Sequence, residues 1–290
     1  MDPSEDAIID DVIAEEAEQE TAQDQAIRFT RWEPRGDLTK AKILLYGAPK
    51  IGKSTLASHF PGALFFELEP GLDWLSSHSI IITDWNTTEM HMEDHEGRPK
   101  VVSSFLHAMK WLKEERPRVL PGTTSPLRTI ICDPIDIAYK MCTDAVCDAL
   151  GISSPSDLEW GRGWNAVSAE WSKYVCMLTT FGYGTVFTSH MKETKRKSQA
   201  REIDMLVPSI QNAGAKVVTA LVDIILYAYM SERAEIDDEG QLTGNITEQR
   251  VLRCQPQNNV IAGDRTGFLP MEIPLDYAAL LKYFPATPKD

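Results

Sequence analysis

The segment Gly47–Ser54 has the clearest chemical pattern in the chain, because its sequence GAPKIGKS fits the pattern GxxxxGK[ST]. Glycines let a backbone wrap so that successive N–H groups point at phosphate oxygens, and a helix that follows adds its positive end. In such a loop Lys53 reaches the β- and γ-phosphates, and Ser54 places its hydroxyl on Mg²⁺. The pattern therefore predicts a nucleotide-binding loop. Its predicted contacts are Gly47, Ala48, Pro49, Lys50, Ile51, Gly52, Lys53, Ser54 and Thr55.

A carboxylate that could hold the water shell of the metal follows the apolar run Thr129–Cys132. This residue is Asp133, and ligands of open α/β sheets bind at the carboxyl ends of the strands. Asp136 lies about one helical turn further on and is an alternative, although Pro134 makes Asp133 the natural strand end. Ser54 and Asp133 are thus the predicted metal site.

Two further segments place polar side chains at predicted strand ends. Glu67 and Glu69 alternate after the run Ala63–Phe66, so they lie on the same side of an extended chain. One of them, with Glu69 preferred, could act as a general base toward a water that attacks the γ-phosphate, or both could be solvated acids. His190 closes the run Thr185–Ser189 and could hydrogen-bond the γ-phosphate and report its loss, or it could be structural.

Alternating strands and helices are needed to bring these residues together. Strand-like runs and helical patterns do alternate from Lys42 onward, and the strand-like runs are continuously apolar. This alternation is typical of an α/β fold with an open, mostly parallel twisted sheet and helices on both faces. The predicted strands are Ile43–Tyr46, Ala63–Phe66, Ile80–Thr83, Thr129–Cys132, Thr185–Thr188 and Leu221–Tyr227. The predicted helices are Ser54–His59, Val102–Glu115, Ile135–Leu150, Leu158–Thr180 and Ala213–Thr219.

The composition is that of a globular protein of 290 residues, of which 43% are hydrophobic and 25% are charged. No apolar run approaches the ~20 residues that a membrane span needs, and the N-terminus is acidic where a secretory signal would be basic. The five cysteines form no CxxC pair and are odd in number, which argues against a disulfide framework or a zinc ribbon. We therefore expect a soluble, intracellular chain without a membrane partner.

The net charge of −14 is concentrated near the N-terminus. Residues 1–27 contain ten acidic side chains and no Lys or Arg, whereas residues 28–290 carry a net charge of only −4. We expect residues 1–27 to be a flexible acidic arm, either a solvated tail or a regulatory segment that competes with an anionic ligand. Residues 28–290 are expected to form a single domain, whose near-neutral charge permits a local basic patch for a phosphate backbone.

The order and spacing of these motifs resemble a RecA-like P-loop NTPase core rather than a GTPase or an adenylate kinase. The run Leu64–Asp73 is similar to the RecA strand that carries the catalytic glutamate, which places Glu69 at that position. His190 falls where RecA-like proteins carry a polar sensor of the γ-phosphate. The runs Thr188–Lys192 and Ala262–Pro270 further resemble phage-encoded RecA-like ATPases, among them the ATP-dependent single-strand annealing proteins.

This resemblance implies that the chain binds ATP and Mg²⁺ and hydrolyses ATP, with Lys53, Glu69 and His190 as catalytic residues. It also implies that single-stranded DNA is bound in phage-type recombination or strand annealing, because a DNA-contacting loop follows the sensor in RecA-like folds. Cations in such a loop neutralise phosphates whatever the base sequence. The basic residues of this segment are Lys192, Lys195, Arg196, Lys197 and Arg201.

RecA-like sites usually lie between protomers, so the resemblance also implies a homo-oligomer, either a ring or a filament. Arg253 and Arg265 are then candidates for a cation that acts across the subunit interface on the transferring phosphoryl group. A single-strand-binding protein would be a further partner, and the cytoplasm of a phage-infected bacterial cell would be the location. The chain departs from the longer recombinases because it has no room for an extra DNA-binding domain. It departs from the common pattern at Pro134, where a small hydroxyl residue is usual.

Two other functions stay open at the level of the sequence. The first is a nucleotide-dependent switch or assembly ATPase whose basic segment binds a protein partner and which makes no DNA contact. The second, a hexameric helicase motor, is less favoured because the chain has no accessory domain for strand separation.

Overall fold

The computed structural model describes residues 36–93, 99–114, 119–120, 123–197, 202–236 and 242–284. These residues belong to one compact unit, Gly36–Asp290. The arm predicted at residues 1–27 and the predicted DNA contact Arg201 lie outside the described residues, so both stay predictions. None of the helices in the described ranges is long and apolar enough to cross a membrane.

A sheet of twelve strands forms the centre of the described structure. In chain order the strands are β1 (Lys42–Gly47), β2 (Ala63–Glu67), β3 (His78–Asp84), β4 (His91–Glu93), β5 (Pro99–Ser104), β6 (Thr129–Asp133), β7 (Gly184–Lys197), β8 (Glu202–Pro208), β9 (Ile224–Ile236), β10 (Leu242–Arg253), β11 (Gly263–Asp264) and β12 (Glu272–Pro274). Their spatial order is β12-β10-β9-β1-β7-β6-β2-β3-β5-β4, with β11 beside β9 and β8 beside β7. All neighbours from β5 to β9 are parallel, and the antiparallel pairs lie outside this central part.

Helices cover both faces of the sheet. They are α1 (Lys53–Ser58), α2 (Phe105–Glu114), α3 (Ile135–Leu150), α4 (Arg162–Thr180), α5 (Asn212–Leu221) and α6 (Tyr277–Leu281). Alternate residues of β1 belong to opposite cores, since Leu44 packs in the core with α2 to α5, and Ile43 and Leu45 pack in the core with α1 and α6. The predicted α/β fold, with a mostly parallel sheet between two layers of helices, is therefore confirmed.

Four predicted elements have clearly different bounds in the structure. The strand predicted at Leu221–Tyr227 is observed at Ile224–Ile236, because Leu221 still belongs to α5, and the helix predicted at Leu158–Thr180 begins at Arg162. The helix predicted at Val102–Glu115 begins only at Phe105, because Val102 extends β5 and pairs with Ile81 of β3. The strand predicted at Thr185–Thr188 is far longer, because β7 continues to Lys197 as one arm of an antiparallel hairpin with β8. We call the part of this hairpin beyond His190, Met191–Pro208, the basic hairpin.

Candidate nucleotide-binding site

The predicted phosphate loop connects the end of β1 to the start of α1. Gly52 has a left-handed φ of 114°, a conformation that side chains with a Cβ atom rarely adopt. A Cβ atom at Gly47 would lie 2.3 Å from the carbonyl oxygen of Ala228 in β9, so the close approach of these two strands requires glycine there. Ser54, the second residue of α1, is half-buried beside the loop. The two glycines of the motif thus shape the loop, each for its own steric reason.

Lys53 is buried and turns back toward the loop that precedes it. Its Nζ donates hydrogen bonds to the carbonyl oxygens of Gly47, at 3.1 Å, and Ala48, at 3.0 Å. Burial lowers the pKa of the Lys53 ammonium, and the nearby carboxylates of Asp133, Asp136 and Glu69 oppose this shift. An ammonium group at this position can meet the negative charge of a bound phosphate.

Asp133 ends β6, as the sequence predicts, and Pro134 separates it from α3. The hydroxyl of Thr188 in β7 donates a hydrogen bond to Asp133 Oδ1 and fixes the orientation of this carboxylate. β7 lies between β1 and β6, so Thr188 is positioned between the phosphate loop and Asp133. Ser54 and Asp133, the two predicted metal residues, both offer oxygen atoms, the type of ligand that Mg²⁺ prefers. The residues present therefore fit the predicted metal.

His190 lies beside the phosphate loop, since it is opposite Gly47 in the parallel pair of β7 and β1. Its imidazole ring stands between two carboxylates. Nδ1 is 3.0 Å from Oδ2 of Asp136 in α3, and Nε2 is 3.5 Å from Oε1 of Glu69, which follows β2. The structure thus brings Glu69 and His190 into contact and adds Asp136, which the sequence suggests only as an alternative metal residue.

Burial raises the pKa of both carboxyl groups that flank His190, those of Glu69 and Asp136. Desolvation raises the pKa of Glu69 above its usual range, and the neighbouring His190 opposes this rise. Desolvation also raises the pKa of Asp136, again against the influence of His190. Oδ1 of Asp136 is buried and has no hydrogen-bond partner among the described residues. A raised pKa brings a carboxylate closer to the proton affinity that a general base needs at neutral pH.

A cavity of about 790 Å³ opens next to Glu69, between the ends of β2 and β3 and the strand β5. Glu67, the alternative base, lines the same cavity but is opposite Asp133 in the pair of β2 and β6. Only Glu69 of the two has a described contact with His190. The geometry therefore favours Glu69 over Glu67 as the residue that works with His190.

A family model described as an AAA domain matches residues 39–266, most of the chain. The chain belongs to this AAA domain family. Among solved structures it is similar to a KaiC-like protein of the hyperthermophilic archaeon Pyrococcus horikoshii, with 12% identity, a TM-score of 0.35, and coverage of 81% of this chain and 85% of that chain. Comparison with curated proteins gives no match.

The family and the phosphate loop together make this chain a nucleotide-binding ATPase domain. The finer resemblance to phage recombinases is not confirmed by these comparisons and stays a prediction.

The predicted DNA-contacting loop of the AAA domain is a regular β-hairpin in its described part. β7 runs without interruption from the buried Thr188 through His190 to the exposed Lys197. Lys192 lies at the base of the hairpin, where its Nζ donates to the carbonyl oxygens of Ser209, at 3.2 Å, and Ile210, at 3.0 Å. Lys192 therefore secures the base of the hairpin, and the more exposed cations lie further out.

The two faces of the basic hairpin differ in charge. Lys195 is opposite Asp204, and Lys197 is opposite Glu202, so each of these lysines has an acid across the strand pair. Lys195 Nζ also lies 3.5 Å from Oε2 of Glu202. Arg196 points to the other face, where its cross-strand partner is the apolar Ile203. The cations of this segment are therefore not equivalent, which their spacing in the sequence does not indicate.

The two interface candidates also differ in their surroundings. Arg253 is buried at the end of β10, and its Nη1 donates to Oε1 of Glu272 in β12 at 2.7 Å. Arg265 is exposed and donates from Nη2 to the carbonyl oxygen of Ala220 at 3.2 Å. Both guanidinium groups have an acid inside the chain, since Arg265 Nη1 lies 3.9 Å from Oδ1 of Asp223, but only Arg265 is exposed, so it is the better candidate for contact with a second protomer. Neither role is tested by the single chain.

Sequence reasoning missed Thr188 and named Asp136 only as an alternative metal residue, not as a partner of His190. Thr188, which orients Asp133, stands two positions before His190, and this spacing places both side chains on the same side of β7. Asp136 stands three positions after Asp133, one turn into the next element. The spacing to Asp133 signals a shared edge, but only the fold shows that the edge also contains His190.

Proposed function

We propose that this AAA domain binds ATP with Mg²⁺ at the phosphate loop and hydrolyses ATP. The observation that carries this proposal is the convergence of Lys53, Asp133, Glu69 and His190 at one edge of the parallel sheet, around the loop Gly47–Ser54. Ser54 and Asp133 would hold the metal, which when bound neutralises charge on the phosphate oxygens.

The other steps, phosphate binding and activation of the attacking water, are assigned to residues of the chain. The backbone of the loop and Lys53 bind the phosphates, and Thr188 keeps Asp133 in place. Glu69 accepts the proton of the attacking water on a carboxylate oxygen. His190 holds that carboxylate at 3.5 Å and is itself held by Asp136. A change at the phosphates that moves His190 therefore changes the position of the base.

We further propose that the domain acts on single-stranded DNA in phage-type recombination or strand annealing, within a homo-oligomer in the host cytoplasm. The position of the basic hairpin supports this proposal, because β7 joins His190 directly to Lys192, Lys195 and Arg196. A strand that moves with its histidine also moves the hairpin that it forms, which would couple the nucleotide to the DNA. A ring or filament would bring Arg265 near a second nucleotide site, and a single-strand-binding protein would be a further partner.

The decisive experiment compares the ATPase rate with and without single-stranded DNA. The wild type is measured beside a variant with Lys195, Arg196 and Lys197 replaced by Ala, and Lys53→Ala serves as the control without catalysis. Stimulation by DNA that the triple variant loses would support the proposal. An ATPase that ignores DNA in both proteins would overturn the DNA role and leave the ATPase proposal intact.

A second function, a nucleotide-dependent assembly protein with a protein partner, has one observation in its favour. The face of the basic hairpin that contains Lys195 and Lys197 also contains Glu193, Glu202 and Asp204, so that face is not a purely basic surface. Mixed charge of this kind suits a protein partner better than a phosphate backbone. DNA-independent ATPase activity would select this alternative.

A further inference from the structure

A groove of about 530 Å³ lies between the basic hairpin and the segment that follows β10. We call it the hairpin groove. Its described lining residues are Arg196, Lys197, Ile203, Met205, Pro256, Gln257, Asn258, Val260, Ile261 and Ala262. Its volume is within the range of ligand pockets, about 300–1,000 Å³.

The lining of the hairpin groove divides into three chemical parts. Met205, Val260 and Ala262 are buried and form an apolar floor. Gln257 and Asn258 are exposed and offer amide donors and acceptors on one side. Arg196 and Lys197 supply positive charge on the other side, and none of the described lining residues is acidic.

The segment after β10, which lines the side of the groove opposite the basic hairpin, is hydrogen-bonded to the hairpin. The N–H of Leu206 in β8 donates to the carbonyl oxygen of Asn259 at 2.8 Å, and Leu206 and Val260 form a short parallel bridge. Both sides of the groove therefore belong to one hydrogen-bonded layer. A ligand in the groove meets a preformed surface, which lowers the ordering cost of binding.

We propose that the hairpin groove holds one nucleotide unit of a bound single strand, with a phosphate on Arg196 and a base over Met205. This inference rests on the proposed function, because it names the place where the strand contacts the basic hairpin. Amide groups donate and accept hydrogen bonds alike, so Gln257 and Asn258 can meet the edge of any base. The site would thus bind DNA without a preference for sequence.

The charge distribution favours a nucleic acid over an acidic peptide. The cations border an apolar floor, and a nucleotide combines an anionic phosphate with a flat apolar base in the same short unit. The acidic side chains of a peptide would contact only the cations, and the apolar floor would stay exposed to solvent. On the opposite face of the hairpin, Lys195 is paired with Glu202 and is opposite Asp204, so its charge is already balanced by acids.

The test measures binding of a 20-nucleotide oligo-dT and of an abasic strand of equal length to the full chain, by fluorescence anisotropy with a non-hydrolysable ATP analogue. The variants are Arg196→Ala and Asn258→Ala, and the matched control is Lys195→Ala, which removes the same charge from the opposite face. All three side chains are exposed, so the fold tolerates these changes.

We expect Arg196→Ala to weaken binding of both strands about tenfold, since a hydrogen bond to a charged group is lost. Asn258→Ala should weaken oligo-dT binding about threefold and leave binding of the abasic strand unchanged. Lys195→Ala should weaken binding less than about twofold, because the lysine is an exposed, ion-paired residue.

Three results would overturn the groove as the binding site while DNA binding stands. The first is a loss with Lys195→Ala as large as with Arg196→Ala, and the second is an equal effect of Asn258→Ala on the two strands. The third is unchanged oligo-dT binding by Arg196→Ala. A wild type that binds neither strand would instead overturn the proposed DNA function and the groove with it.

Discussion

His190 has a carboxylate on each side of its ring, which restricts what the ring can do. A neutral imidazole donates from one nitrogen only, whereas a charged ring can donate to Asp136 and Glu69 together. Because Nδ1 faces Asp136 and Nε2 faces Glu69, a movement of the ring changes both contacts together. Phosphate charge at the neighbouring loop acts on the same ring, so the histidine can connect the occupancy of the loop to the position of the base.

Replacing the base should separate nucleotide binding from turnover. Glu69→Gln keeps the size of the side chain and removes its basicity, so we expect turnover to fall by at least about a hundredfold while ATP affinity changes little. The matched control is Glu67→Gln, which removes a carboxylate from the same cavity without touching His190. Steady-state ATPase rates and ATP titrations give both values. If Glu69→Gln keeps full turnover and Glu67→Gln loses it, Glu67 is the general base instead of Glu69.

The pH dependence of turnover should follow the environment of Glu69. Burial raises the pKa of Glu69, and a base works only when deprotonated, so activity should be lost as pH falls through a value above the usual 4.3 or so. A pH–rate profile of the wild type measures the pH at which this loss of activity on the acid side occurs. An acid limb at or below the ordinary pKa of glutamate would contradict the structural environment described here.

Asp136 should make stability depend on pH. Its native pKa is raised by burial, so the native state binds this proton more tightly than the unfolded state, and stability falls as pH rises from the ordinary pKa through the raised one. Asp136→Asn removes that penalty and should be more stable relative to wild type at pH 7.5 than at pH 3.5, by about 1.4 kcal/mol for each unit of pKa difference. Urea unfolding at the two pH values measures this. A difference between variant and wild type that is the same at both pH values would show that the Asp136 carboxyl does not titrate differently on folding.

Single residues of the site are predictable from sequence when they directly follow an apolar run. Asp133 does, because a buried strand must end where the sheet meets solvent. Glu69 stands just beyond the end of β2, and Lys53 is predictable from its place in the pattern GxxxxGK[ST]. Asp136 is different, since its role depends on His190, which is 54 positions away in the chain. Contacts of that kind depend on strand order, which no local pattern contains.

At the scale of elements, β7 is the connection between the two proposed sites. Its first half is buried on both sides by β1 and β6, and its second half leaves the sheet to pair with β8 alone. The central strands were predictable because strands buried on both faces are continuous apolar runs. The second half of β7 was not, because its Lys, Arg and Thr residues show no apolar alternation and the pairing with β8 supplies the strand.

Tyr46 should couple the hairpin groove to the phosphate loop. It is the buried residue before Gly47, and its hydroxyl lies 2.7 Å from the carbonyl oxygen of Ile261 and 3.1 Å from that of Leu206, so that its one hydrogen can be donated to either. Tyr46→Phe removes these bonds and keeps the ring. We expect the ratio of oligo-dT affinities with and without the ATP analogue to fall toward one.

The control for this prediction is Tyr227→Phe, which lies in the same aromatic cluster and whose hydroxyl contacts only Met191 Sδ, at 3.7 Å, among its described hydrogen bonds. This variant should keep the wild-type ratio. An unchanged ratio in Tyr46→Phe would show that Tyr46 does not couple the two sites, and β7 would then be the remaining connection between the phosphate loop and the bound DNA.

At the scale of the whole molecule, charge is distributed unevenly along the chain. Residues 28–290 carry a net charge of −4, and the remaining negative charge belongs to residues 1–27. The sequence therefore predicts that a bound strand and the N-terminal residues repel each other or compete for the same cations. Composition could reveal this imbalance, but only the fold shows that Arg196 faces an apolar floor while Lys195 faces acids.

Removing residues 1–27 should tighten single-strand binding at low salt and have little effect at high salt, where charges are screened. Oligo-dT titrations of the shortened chain at about 50 mM and about 500 mM salt test this. A full-length variant with the ten acids of the arm changed to Asn and Gln separates charge from length and should behave like the shortened chain. Equal affinities of all three proteins at low salt would exclude competition by the arm.

The uninterrupted course of β7 also has a consequence for hydrogen exchange. Backbone amides of residues 184–190 belong to the central sheet, where β7 pairs with β6 as far as Phe187 and with β1 as far as His190, and they should exchange with solvent only when the whole domain opens. Those of residues 191–197 have only β8 beside them and should exchange through smaller, local openings. Mass spectrometry of peptides along β7 should therefore show protection that drops within one strand. The drop is expected at His190, which makes this residue the boundary between the most and the least protected parts of β7.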